Sequence, residues 1–357
     1  MNLEELRRRI DELDDAILGL LERRANVALD IAKAKAAAGV TRFHDPERER
    51  EVLDRLEARG AGRFPRAAIR AVFREIMSAC LSLEQPLRVA FLGPAGTFSH
   101  IAARRAFGGA AVYEQADSLD DAFESVRRGE CAYGVVPIES LAEGSVDSTL
   151  DALWRGDLRI RMELVQEISH CLLTLAPSLE RIERVYSHPQ ALAQCRSFLA
   201  RHLPSAQMIP TPSTARAAQE ALADPAGAAI ASKLAGELYG IPALRESIQD
   251  RQPNVTRFVV VAKSDAPRTG DDKTSLAFST KNEVGALRRI LSIFEDAGID
   301  LSRIESRPHP EKPWEYVFFV DAHGHRLDPH FVTAIEKLEA HCSTLRIFGS
   351  YPRAKAH

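Results

Sequence analysis

The sequence lacks most features that mark secreted, membrane-bound or nucleic-acid-binding chains. Aromatic residues make up only 6% of its 357 residues, with two tryptophans. Its five cysteines, at 80, 131, 171, 195 and 342, stand singly, without a CxxC pair and with an odd total. Reduced thiols in a cytoplasmic protein are therefore expected. Long apolar runs are missing: the longest, such as Phe258 to Ala262, fall far short of the ~20 residues of a membrane span. Met1 to Glu5 offers no basic stretch leading into an apolar one, so no secretory signal is expected. A one-sided charge is also missing. Lys+Arg is 47 against Asp+Glu 50, a net −3 that gives no bulk attraction to nucleic acid or membrane lipid. Without CxxC, HExxH or an ordered acidic loop, neither metal nor organic cofactor is expected. The remainder, 45% hydrophobic and 27% charged, is the balance of a folded chain, and at about 150 residues per domain it makes two or three domains.

The first 85 residues contain no tyrosine or tryptophan. Leu3, Leu6, Ile10, Leu13, Ile17 and Leu20 recur at three- and four-residue steps, the period of an amphipathic helix. The pattern predicts a helix from residue 3 to Ala38, ended by Gly39. Such a helix is around 50 Å long at ~1.5 Å per residue, too long to bury its apolar stripe in its own short module. A partner chain is expected. A second helix is predicted from Asp45-Pro46 to Arg59, and a third from Pro65 to Glu84. This segment holds 16 basic and 16 acidic residues, so a single arginine in it is ordinarily a solvated one. Spacing separates a few. Arg24 and Lys35, eleven residues apart, fall within about 20° on one helix face. Arg7 lies about 260° round from Arg24 and reaches the same pocket only from a paired helix.

These residues resemble the all-helical chorismate mutase family, through Leu6-Arg7-x-x-Ile10, Leu20-Leu21-x-x-Arg24, Lys33-x-Lys35, Asp45-x-x-Arg48-Glu49 and Cys80-x-x-x-Glu84. The family's intertwined dimer implies that Arg7 serves the neighbour's site. Chorismate is a dianion, and its Claisen rearrangement to prephenate needs a held conformer and stabilised negative charge on the breaking ether oxygen. By resemblance, Arg7, Arg24 and Arg48 clamp carboxylates, and Lys35 faces the ether oxygen. Asp45 and Glu49 hold the hydroxyl region. Cys80 and Glu84 stand where the family often has Ser and Gln, and Glu must be protonated to donate a hydrogen bond.

Beyond Gln85-Pro86 the helical pattern breaks. Leu87 to Leu92 reads as a buried strand running into Gly93-Pro94-Ala95-Gly96-Thr97-Phe98-Ser99 and a helix start, a natural anion cradle without the glycine spacing of a dinucleotide fingerprint. Further strands are predicted at 132–138, 159–175, 184–187, 228–232 and 256–262 with helices between, suggesting an open, mostly parallel sheet split into two lobes near 159–175. Four segments resemble prephenate dehydratase: Gly93 to Ser99; Val136-Pro137-Ile138-Glu139 through Asp151; Ser187-His188-Pro189-Gln190 with Gln194-Cys195; and Asn254-Val255-Thr256-Arg257-Phe258. The resemblance implies two α/β lobes of periplasmic-binding-protein-like architecture with prephenate between them. It implies Thr256 as the group assisting loss of the ring hydroxyl, and Gly96, Thr97, Glu139, Ser140, Ser187, His188, Gln194 and Arg257 as substrate contacts. Ser140-Leu141 replaces the Asn-Ser that is frequent in the family, removing two donors and an acceptor that serine restores only partly.

A polar stretch from Ser264 to Asp272 reads as a linker. After it, strands at 274–280, 299–306, 314–321 and 344–350 and helices at 284–297 and 328–341 form a split βαβ, ferredoxin-like pattern. Asn282-Glu283-Val284-Gly285-Ala286-Leu287 and Ile304-Glu305-Ser306-Arg307-Pro308 resemble the ACT domain of dehydratases. That implies phenylalanine as effector, held by Asn282, Gly285, Ala286, Leu287, Glu305, Ser306 and Arg307, with Trp314-Glu315-Tyr316 nearby in the sheet.

The expected organisation is multidomain: an all-α mutase module at 1–86, a two-lobed α/β dehydratase at 87–263, a linker at 264–272 and an α+β ACT domain at 273–357. The expected function is a bifunctional enzyme of phenylalanine biosynthesis, taking chorismate to prephenate and prephenate to phenylpyruvate, regulated by phenylalanine. A homodimer or tetramer is expected, with no nucleic-acid or membrane partner. Two alternatives stand beside it: a mutase whose dehydratase is weakened at Ser140 and Leu141, and a non-catalytic amino-acid-binding regulator.

Overall fold

The computed structural model describes residues 2–39, 44–60, 62–280, 283–309, 312 and 315–354. It divides into two compact units, Met1–Val89 with Arg104–Val112, and Ala90–Ala103 with Tyr113–His357.

The first unit holds α1 (Leu3–Ala37), α2 (Pro46–Arg59) and α3 (Arg66–Glu84). Local chemistry sets their ends. Asn2 Oδ1 accepts from the Glu5 N–H at 2.8 Å, and Asp45 Oδ1 accepts from the Arg48 N–H at 3.1 Å, with Pro46 in the first turn. Gly39, at φ 70°, follows the end of α1, a conformation that favours glycine. Of the 35 residues of α1, only Ala28 is buried. Leu3, Leu6, Ile10, Leu13 and Ile17 are 43–63% exposed, so the apolar stripe exists but is left uncovered among the described residues. Residues 104–112 join this unit through Gly109 and Ala110, whose N–H groups donate to Glu75 Oε2 at 2.7 Å and Ser78 Oγ at 3.2 Å.

The second unit carries three sheets. The first contains β1 (Arg88–Leu92), β2 (Val112–Ala116), β3 (Tyr133–Ser140), β4 (Gly144–Ser145) and β5 (Arg159–Glu167), with α4 (Phe98–Phe107), α5 (Leu119–Arg128) and α6 (Asp147–Arg155) between them. The second contains β6 (Cys171–Thr174), β7 (Arg184–Ser187), β8 (Gln207–Pro210), β9 (Gly227–Ala231) and β10 (Ala243–Arg245), with α7 (Pro189–Gln194), α8 (Arg196–His202), α9 (Thr214–Leu222) and α10 (Lys233–Tyr239). The chain then returns, and β11 (Val255–Ala262) completes the first sheet in the order β2-β1-β3-β11-β5. The second sheet runs β10-β6-β9-β7-β8.

These sheets are mixed, not mostly parallel as the sequence suggested. Strand β7 is parallel to β8 and β9, whereas β11 is antiparallel to both β3 and β5, and β6 is antiparallel to β9 and β10. The predicted strand at 159–175 explains the difference. It is cut at Ile168 to His170 into β5 of one sheet and β6 of the other. Strand β11 therefore arrives from the opposite lobe, and no βαβ crossover sets its direction.

The third sheet follows the predicted order, with β12 (Asp272–Thr280), α11 (Ala286–Asp296), β13 (Leu301–Pro308), β14 (Tyr316–His323), α12 (Pro329–His341) and β15 (Cys342–Pro352). Its strands pair antiparallel as β13-β14-β12-β15. Ala277, Phe319, Phe348 and Tyr351 share one buried cluster with Val136, Leu153, Val259 and Val261 of the first lobe. Strand β15 lies so close to β5 that a Cβ on Gly349 would sit 2.2 Å from the Ile160 carbonyl oxygen. The polar stretch after Ser264 is anchored: Arg161, 3% exposed, donates to Ser264 Oγ at 3.2 Å, and the Thr269 N–H donates to Asp272 Oδ2 at 2.7 Å.

Candidate active sites

In the helical unit, two of the predicted cations, Arg24 and Lys35, lie on the face of α1 turned to α3. Arg24 Nη1 donates to the Ile76 carbonyl at 3.5 Å, and Lys35 Nζ pairs with Glu84 Oε2 at 3.4 Å. Ile76, Cys80 and Glu84 are four residues apart on α3 and share one stripe, with Cys80 buried. Asp45 caps α2. Arg48 pairs with Glu51 at 3.0 Å on an exposed surface, and Glu49 lies 3.1 Å from the Nε2 of the buried His44, which the sequence did not single out. Arg7 is exposed and, among the described residues, does not join the Arg24 stripe.

In the second unit, a cavity of about 690 Å³ is lined by residues of both lobes. Thr97, Ser140, His188, Gln194 and Thr256 line it, together with Gln115, Asp117, His170, Arg216 and Asn254. The N-terminal ends of α4 and α9 meet it through Thr97 to Ser99 and Ser213 to Thr214. Helix starts carry partial positive charge and suit an anion. Gly96 stands behind this wall, where a Cβ would come within 2.9 Å of Ala235 Cα and where Ser232 Oγ donates to its carbonyl at 2.5 Å. Ser187 is fully buried and donates to the Ile230 carbonyl at 2.6 Å.

Strand alternation divides the remaining predicted contacts. Thr256 lies opposite Ser140 in the β11–β3 ladder and Arg257 opposite Glu139, so each pair shares a face. The first pair lines the cavity. The second points away, and Arg257 Nη1 lies 3.5 Å from Glu139 Oε2. Arg257 also donates to Glu163 Oε2 at 2.8 Å, to Asp321 Oδ2 and to Tyr351 Oη at 2.9 Å. Lys273 Nζ adds a 3.0 Å contact to Glu163. Burial opposes the guanidinium charge, but the surrounding Tyr351, Asp321 and Glu163 raise the Arg257 pKa above its ordinary value. Glu139, Ser187 and Arg257 therefore support the cavity from outside its lining.

Residues 6–85 match the chorismate mutase type II family, 89–266 the prephenate dehydratase family and 274–340 the ACT domain. A bifunctional chorismate mutase/prephenate dehydratase from Aquifex aeolicus is 45% identical over 357 residues, 99% of this chain and 98% of the relative. The protein of the same description from Stutzerimonas stutzeri is 43% identical over the same shares. The chain belongs to the bifunctional chorismate mutase/prephenate dehydratase family. A solved prephenate dehydratase from Arthrobacter aurescens, in complex with L-Phe, is 38% identical, with a TM-score of 0.69 over 75% of this chain and 90% of that one.

The ACT domain shows the same alternation along β13. Arg303, Glu305 and Arg307 are partly buried, whereas Ile304 and Ser306 are exposed. Arg307 donates to Asp151 Oδ1 at 2.8 Å, and Glu305 accepts from Arg303 and Ser145. Two of the expected effector contacts thus engage the dehydratase lobe, while Ser306 faces the other way. Gly285, at φ 80°, opens α11, followed by Ala286, and Leu287 packs on the domain core. Asn282 and Trp314 lie outside the described residues.

Sequence reasoning passed over His170, Gln115, Asp117 and Arg216. Asn254 sits in a quoted motif but was not assigned a role. His170 gives no signal in sequence because its place is set by the crossing between lobes.

Proposed function

We propose that the helical module rearranges chorismate to prephenate through Arg24, Lys35 and Glu84, with Arg7 supplied by a second copy of the chain. Arg48, Asp45, Glu49 and Cys80 complete that site. Prephenate then loses carbon dioxide and its ring hydroxyl in the dehydratase cavity, giving phenylpyruvate. The ring becomes aromatic as the bonds break, so the protein has only to hold two carboxylates and help hydroxide depart. Thr256 assists that departure by hydrogen bonding; its hydroxyl is too weak an acid to release a free proton. Ser140, His188, Gln194 and Thr97 surround the substrate. Phenylalanine acts at the ACT domain, through Gly285 to Leu287 and Ser306. We take the module limits as 1–86, 87–263 and 273–357 and the protein as a cytoplasmic homodimer or tetramer, a reading supported by the exposed α1 stripe and five free cysteines.

One observation carries the dehydratase assignment. Thr97, Ser140, His188, Gln194 and Thr256, which lie up to 159 residues apart in sequence, meet in a single cavity. Replacing Thr256 by Val should abolish phenylpyruvate release from prephenate while leaving chorismate turnover intact. Retained dehydratase activity in that variant sinks the assignment.

A further inference from the structure

His170, Asn254 and Gln194 come from three places: the first crossing between lobes, the second crossing, and the end of α7. Gln194 Oε1 lies 2.9 Å from His170 Nε2 and accepts from Asn254 Nδ2, also at 2.9 Å. An amide oxygen cannot donate, so the imidazole must be the tautomer with its proton on Nε2. Burial lowers the His170 pKa despite the hydrogen bond to Gln194, which keeps the ring neutral. Both lone pairs of Gln194 Oε1 are then filled. The amide has only its N–H donors left, and among the described residues they donate to no protein group.

All three side chains line the cavity, and Asn254 is two residues from Thr256, on the same side of an extended chain. His170 and Asn254 are 3% and 6% exposed, yet among the described residues no protein group pairs with His170 Nδ1 or Asn254 Oδ1. Orphaned buried polar atoms are rare and costly. On the wall of a cavity, such atoms are placed to meet what the cavity holds.

We propose that His170 and Asn254 are positioning residues that clamp the Gln194 carboxamide from both lobe crossings, so that its N–H donors meet an oxygen of prephenate. A freely turning amide would present its oxygen to a dianion in part of its population, a repulsive arrangement. The clamp removes that orientation before substrate arrives. The inference rests on the dehydratase reading of the cavity.

The test uses the full chain with prephenate as substrate. His170→Phe keeps a ring against Phe98, now 5.4 Å from the imidazole, and removes the donor. It should lower kcat about 100-fold with little change in KM. His170→Gln returns an N–H close to the position of Nε2 and should recover most of the loss. In a Gln194→Ala background, His170→Phe should cost less than about 3-fold more, because both changes remove one contact. Fully additive losses, or a His170→Gln variant no better than His170→Phe, overturn the clamp. If His170→Phe fails to fold, Asn254→Asp, with the same shape but an acceptor against Oε1, must show the same kcat loss and the same non-additivity. A native chain that releases no phenylpyruvate from prephenate fails the dehydratase reading instead, and is recognised before any variant is made.

Discussion

Thr256 and Arg257 are neighbours in sequence and lie on opposite faces of β11, one lining the dehydratase cavity and the other clamped by Glu163, Asp321 and Tyr351. The residue expected to assist the chemistry is thus seated on a strand whose reverse side is bonded to the ACT domain.

Removing the Arg257 guanidinium takes from Asp321, at 2% side-chain exposure, its paired cation and leaves Glu163, at 3%, with Lys273 alone. Arg257→Met should cost about 3–5 kcal/mol of stability, measured by denaturant unfolding. Acid should have a related effect on the native chain. Desolvation alone would raise the Asp321 pKa, but the Arg257 charge and the hydrogen bonds from Arg257 and Ser275 outweigh it and hold it below the ordinary value. A depressed carboxylate contributes stability that is present above its unfolded pKa of about 3.9 and is lost as pH falls through the lower folded value. Unfolding midpoints that stay level from pH 5 to about pH 2 would contradict this.

Glu84 accepts from Lys35 at 3.4 Å. To donate to substrate it must carry a proton, which Gln does at any pH. The Glu84→Gln chain, which always presents N–H donors there, should keep mutase activity with a flatter pH profile than the native chain. An unchanged profile in the variant removes Glu84 from the donor role.

The exposed Leu3–Ile17 stripe and the isolated Arg7 make complementation a direct test of a shared mutase site. Arg7→Ala and Arg24→Ala chains should each be nearly inactive as mutases. Unfolded together and refolded in equal amounts, they should recover about a quarter of native activity, since half the dimers are mixed and each mixed dimer has one intact site. No recovery, with mixed dimers shown to form, places Arg7 outside the partner's site.

Ser140 lines the cavity and its hydroxyl accepts from the Ala142 N–H at 3.3 Å. Ser140→Asn supplies the donors that the family often has there and should raise dehydratase kcat/KM about 2- to 10-fold, the effect of one added hydrogen bond. A neutral or slower variant means that this chain holds prephenate differently at that wall.

Where the sequence was informative, the cause was local. Gly39, Asp45 and Pro46 bound their helices through contacts within three or four residues, and the third-sheet order followed from alternating periods. Strand direction in the two lobes was not legible, because β11 is placed by a return crossing and not by its neighbours in the chain. The quoted motifs ran Glu139 with Ser140 and Thr256 with Arg257 together, whereas pleating sends the members of each pair to opposite faces. The residue most hidden from sequence was His170, whose partners stand 24 and 79 positions away.

Gly349 leads to a different kind of consequence. Main chain meets main chain where β15 approaches Ile160, so the seating of the sensor on the catalytic lobe at that point is indifferent to which side chains the two strands carry. That backbone contact asks nothing of the Ile160 side chain, while a single methyl group at 349 would push the two strands apart. An inheritance of this sort leaves no paired substitutions to follow. It is kept by one position continuing to hold nothing.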